Sequence, residues 1–151
     1  MQTMLNPFDW RTLVLAKHAQ HVALIHFPIA LFLVGVVFDG LAAWREKEGF
    51  ATAAFLNLSA AAVCLLPALV TGVLAWQWQL EGHPIKGILL YHLVGASVSA
   101  LVLLLSWWIH FRARRTDPAC LPAWRFPLEL LGVLAVTLTG HLGGFLSGVN
   151  S

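Results

Sequence analysis

The sequence predicts an all-α integral membrane protein, a four-helix up-down bundle with a short N-terminal interfacial helix. Of its 151 residues, 59% are hydrophobic and only 11% are charged, whereas a soluble domain carries roughly a quarter charged residues. Four apolar runs each reach the roughly 20 residues that span a bilayer. The connections between them are short, which forces sequential helices to be antiparallel neighbours. No strand pattern competes.

Residues 1–17 place Leu5, Phe8, Trp10, Leu13 and Val14 among polar side chains, the pattern of a helix lying in the interface. They do not read as a signal peptide, because Asp9, Trp10 and Arg11 stand where its apolar run should begin. The first span covers about residues 22–44. Pro28, early in that span, lacks an amide hydrogen and frees a carbonyl near Leu24. A kink there would turn His26 inward, although proline near a helix start is also tolerated without effect. The second span, about 51–80, is long enough to tilt. The third and fourth cover about 87–111 and 126–149. Together, residues 1–151 read as a single membrane domain. Cys64 lies within an apolar run and Cys120 in a loop. They have no disulfide or zinc spacing and are read as unpaired.

Basic residues set the expected orientation. The first and third loops hold Arg45, Lys47, Arg112, Arg114, Arg115 and Arg125, and the opposite side holds Arg11, Lys17 and Lys86. The richer side is expected to be cytoplasmic. That gives a multi-pass protein of the bacterial inner membrane, with both termini and the second loop in the periplasm. Formal net charge is only +2, with no basic stripe, so no nucleic-acid partner is expected.

His26, His92 and His141 lie early in the first span, early in the third and late in the fourth. All three are then about 8–10 Å below the outward ends of their helices. An intramembrane histidine is costly and marks a functional site by default. A single one commonly bonds a neighbouring backbone, but three in one layer point to a shared ligand. His18, His21 and His83 read as solvated interface residues. His110 stands at the cytoplasmic end, where no His or Met could join it as a haem ligand. A weak repeat sharpens the layer, because His26 precedes Thr71-Gly72 and His92 precedes Thr139-Gly140. A pseudo-twofold axis along the membrane normal would make His26 and His92 equivalent on diagonal helices.

The leading expectation is haem b with His26 and His92 as axial iron ligands and His141 in reserve. Gly95, Gly140, Gly143 and Gly144 offer clearance for a macrocycle, and Lys86, Trp76, Trp78, Gln77 and Gln79 are candidate donors to its propionates. No Cys-x-x-Cys-His is present, which excludes c-type attachment. The protein then reads as an electron-transfer subunit, embedded in lipid beside other membrane redox subunits. It would exchange electrons with a periplasmic c-type cytochrome or take them from a quinol, making quinone a second candidate cofactor. The alternatives are a copper- or zinc-binding or transport-related protein and a cofactor-free structural or assembly subunit. Asp39 and Glu129 are the acids within the spans. Asp39 falls about 140° around the helix from His26 and is expected to pair with a polar neighbour or an Arg, so no continuous ion path emerges. No catalytic motif points to an independent enzyme.

The run His26-Phe27-Pro28-Ile29-Ala30-Leu31 resembles a motif of a large bacterial family of predicted four-helix membrane proteins without an assigned function. The likeness continues through Asp39, Thr71-Gly72, His92 with Gly95, and Gly140 to Gly144, covering about residues 20–148. It implies the four-helix fold and matches His26 and His92 to the family's two histidines. Some members resemble fusions to cytochrome c domains, which implies a redox role. His141 and the short tail after Gly144 depart from the pattern.

Overall fold

The computed structural model describes residues 17–116 and 121–147. They form four helices, α1 (Lys17–Arg45), α2 (Glu48–Gln79), α3 (Ile88–Thr116) and α4 (Arg125–Leu146), and no strand. The interfacial helix expected before residue 17 and Cys120 lie outside the described residues. Cys64 is half-buried in α2 and is a free thiol.

All four helices are long and apolar enough to cross a membrane. Their outer faces confirm lipid as the solvent. Val37, Leu56, Val63, Leu66, Leu101 and Leu134 are each more than half exposed, which water would penalise. The interior is narrow. Phe32, Leu58, Ala61, Leu65, Val102, Leu103 and Val136 form its apolar centre.

Neighbouring helices pack in the order α1, α2, α3, α4 and back to α1, with the closest association inside the α1–α2 and α3–α4 hairpins. Small residues permit that closeness, as is usual between membrane helices. A methyl group on Gly35 would stand 3.0 Å from Leu58 Cγ, and one on Gly132 only 2.8 Å from Val102 Cγ1. The α1–α2 turn is tight because Glu46 adopts a left-handed backbone (φ 52°). Between α2 and α3, Glu81, Gly82 and Gly87 are also left-handed. The Trp76 indole N–H donates to the His83 carbonyl at 3.0 Å and closes that turn.

The hairpins are repeats of each other at a spacing of 71 residues. The buried positions of α2 are Ala54, Leu58, Ala61, Leu65 and Ala68; those of α4 are Arg125, Glu129, Gly132, Val136 and Thr139. Each pair is 71 apart. Phe32, Gly35 and Asp39 of α1 match Leu103, Ser106 and His110 of α3 in the same way. This corrects the register expected from the Thr-Gly pairs, which set His26 against His92. Core-facing positions define the true register, and Thr71-Gly72 and Thr139-Gly140 stand at different heights in it. The counterpart of His92 is His21, and the counterpart of Gly72 is Gly143.

Candidate functional site: two polar layers in an apolar bundle

Polar groups gather at both ends of the bundle. The histidine end holds the α2–α3 turn and the start of α1. Here His21 leans from α1 onto α2, half-buried, with its Nδ1 3.2 Å from Thr71 Oγ1. The Thr71 hydroxyl already donates to the Pro67 carbonyl at 2.8 Å, so it accepts from His21. The Ala68 carbonyl also faces this ring. His92 repeats the arrangement in the other hairpin, leaning from α3 onto α4 with Nδ1 3.1 Å from the Thr139 carbonyl. Ala68 and Thr139 are repeat equivalents.

A carbonyl can only accept, so Nδ1 of His92 carries the proton. The same follows for His21, because the Thr71 proton is committed elsewhere. In both neutral rings the free lone pair is therefore on Nε2, the atom that would ligate a metal. Both rings are anchored to the neighbouring helix through Nδ1. Each ring also rests on a glycine. A methyl group on Gly72 would meet the His21 ring at 3.0 Å, and one on Gly143 would meet the His92 ring at 3.1 Å. The two imidazoles are near enough to interact electrostatically.

Of the three histidines singled out by depth, only His92 joins this layer. His26 is exposed and its Nδ1 donates to the Val22 carbonyl of its own helix. His141 is exposed and stands edge-on to Phe145. Gly95 was expected to leave space beside His92. Instead the Thr139 hydroxyl of α4 fills that space, so Gly95 serves helix packing. Gly140 is exposed and borders nothing within 4 Å of a would-be Cβ. Gly144 is half-buried, next to the Gly143 that supports His92. His21, expected to be solvated, was missed. Its signal was the common 71-residue spacing of His21/His92, Asp39/His110 and Gly72/Gly143.

The arginine end, where α1 and α3 finish and α4 begins, holds a second group that sequence reasoning did not assemble. Asp39 does find an arginine, as expected. Arg125 Nε donates to Asp39 Oδ2 at 2.7 Å, and its Nη1 donates to the Pro122 carbonyl at 3.1 Å. His110 Nε2 lies 3.2 Å from Glu129 Oε1 and 3.7 Å from Asp39 Oδ1. All four side chains are buried, Glu129 completely. The second oxygen of Glu129 and the hydroxyl of Ser106 have no hydrogen-bond partner among the described residues. His110, placed by sequence at this end without a His or Met partner, meets two carboxylates here. The cluster's signals were the Asp39/His110 spacing and the pair Arg125 and Glu129, one turn apart at the start of a span.

No curated protein and no solved structure matches the chain. Residues 17–149, all four helices and both polar layers, match one family, described as a predicted membrane protein (DUF2231). The chain belongs to that family of membrane proteins.

Proposed function

We propose that this membrane protein is a haem b-binding electron-transfer subunit, with His21 and His92 as the axial ligands. The observation that carries the reading is the matched pair of imidazoles. Both have Nδ1 fixed by the partner helix, which in a neutral ring leaves the lone pair on Nε2, and both sit on glycine. Metal-bound histidines are oriented in this way, by a hydrogen bond from the other ring nitrogen. His26, turned to its own helix, gives way to His21 as the partner of His92.

Bound between two imidazoles, haem would supply one-electron chemistry at a potential set partly by its axial ligands. The chain's own part is to hold the rings. Thr71 and the Thr139 carbonyl fix the tautomer, and Gly72 and Gly143 set the height of each ring against the adjoining helix. The excess of Arg and Lys at the opposite end supports a periplasmic position for the histidine end. A c-type cytochrome or a quinol could then exchange electrons with it, within a larger complex of the inner membrane.

The test is a pyridine haemochrome assay and a visible spectrum of the full chain, expressed with haem supply and purified in detergent. A b-type, low-spin spectrum is expected. It should disappear in His21→Ala and in His92→Ala but survive in His26→Ala and His141→Ala. Stoichiometric zinc or copper at the same pair, with no haem, would move the site to an ion. A full spectrum in both His21→Ala and His92→Ala would sink the ligand assignment.

A further inference from the structure

We infer that Asp39, His110 and Glu129 form a second site, for a divalent first-row transition-metal ion, at the arginine end of the bundle. One ligand atom from each of these buried residues lies within 4.8 Å of the other two. The His110 Nε2 separations of 3.2 and 3.7 Å are near the roughly 3.4 Å edge of a tetrahedron whose ligands stand 2.0–2.1 Å from a central ion. One imidazole and two carboxylates suit zinc, iron(II) or manganese, whereas magnesium and calcium prefer oxygen alone.

Charge and unmet hydrogen bonding both call for a cation at that point. With His110 neutral and Glu129 ionised, Asp39, Glu129 and Arg125 sum to one buried negative charge, which a cation or a proton can cancel. An uncompensated charge within a membrane protein is strongly unfavourable. A proton on Glu129 would cancel that charge as well as a metal ion, and so would a proton on His110. The latter would serve Glu129 Oε1 at 3.2 Å but reach Asp39 poorly at 3.7 Å. It would also leave Glu129 Oε2 and Ser106 Oγ without a partner, although both are fully buried. A metal ion between the three side chains can take either oxygen of Glu129. Ser106, one turn from His110 on the same buried face of α3, is the next donor available.

Arg125 acts as the support of this site. It occupies Asp39 Oδ2 at 2.7 Å and is itself tied to the Pro122 carbonyl, which leaves Oδ1 directed at His110. Outer partners of this kind orient metal ligands. The repeat supplies an internal control, because the positions equivalent to Arg125 and Glu129 are Ala54 and Leu58, both fully buried. The same fold accepts apolar residues there. At these two positions the first hairpin therefore packs without a charged residue.

The experiment uses the full chain in detergent, with His21→Ala and His92→Ala introduced so that the His21–His92 pair contributes no ligand. After chelation, zinc is added and the protein is desalted and assayed for bound metal. About one zinc per chain is expected. Glu129→Gln and Asp39→Asn, both close in shape to the native residues, should each weaken binding at least tenfold. In the otherwise native chain, the ¹⁵N resonance of His110 Nε2 should move on zinc addition from a free to a metal-bound position. Absence of bound zinc in folded protein would overturn the inference. So would undiminished affinity in both carboxamide variants, or a His110 imidazolium signal that zinc leaves unchanged. None of these outcomes bears on haem at the histidine end.

Discussion

At the scale of single residues, the decisive groups are polar side chains whose partners lie on other helices. Arg125 and Asp39 are 86 residues apart in sequence, and the pairing was partly legible because an acid this deep in lipid must find a cation. His21 was not legible in the same way. Depth along the helix suggested a solvated residue, whereas its rotation toward Thr71 and Gly72 turns it inward. A depth count is blind to rotation around the helix axis, which also explains why exposed His26 looked equivalent to His92. Removing one partner of a buried ion pair strands the other. Arg125→Met should therefore destabilise the protein by about 3–5 kcal/mol, measured by denaturant unfolding in mixed micelles. The double variant Asp39→Leu, Arg125→Met should recover most of that loss, as the apolar Ala54 position already shows the fold can tolerate. A double variant no more stable than Arg125→Met would mean that the pair does more for the fold than balance charge.

Helices and their contacts were the most legible scale. Apolar run length and short loops gave all four spans, and the observed ends differ from the expected ones by a few residues. The α1–α2 and α3–α4 contacts were less so, because they depend on which small residue meets which large one. Gly132 shows the difference. As a glycine in a span it predicts only close packing, whereas in the structure the Phe32 ring of α1 covers it, and a methyl group would also stand 2.8 Å from Val102 Cγ1. Gly132→Ala should cost about 1–3 kcal/mol of overpacking strain, seen in the same unfolding measurement. Adding Phe32→Leu, which withdraws the ring, should restore part of it. By contrast, Gly40→Ala should be neutral or slightly stabilising, since nothing lies within 4 Å of its would-be Cβ and alanine is the better helix former. Equal losses at both positions would mean that backbone freedom, not the Phe32 contact, sets the cost.

For the whole molecule, two similar hairpins enclose an apolar centre between unlike polar ends. The repeat was visible in sequence, but its register emerged only from the burial pattern, since Thr-Gly pairs recur in membrane helices for packing alone. The symmetry also shows where it has been broken. His21 and His92 are the same residue in both halves, whereas Asp39 corresponds to His110 and the pair Ala54 and Leu58 to Arg125 and Glu129. A pair of like groups suits a ligand centred between the halves, and an unlike set suits one held off-centre toward α4. Which membrane face each layer serves depends on orientation, and here the basic residues make a definite prediction. The arginine end carries Arg45, Lys47, Arg112, Arg114, Arg115 and Arg125 against Lys17 and Lys86 opposite. A reporter active only outside the cytoplasm should therefore work when fused after Ser151 and fail when inserted near Pro118. The reverse pattern would place His21 and His92 toward the cytoplasm and end the proposed exchange with periplasmic cytochromes. Replacing Arg112, Arg114 and Arg115 by Gln, while adding three Lys after Ser151, should weaken or invert the pattern. If basic residues govern insertion, the two reporters should respond together; if only one responded, a hairpin would have failed to insert.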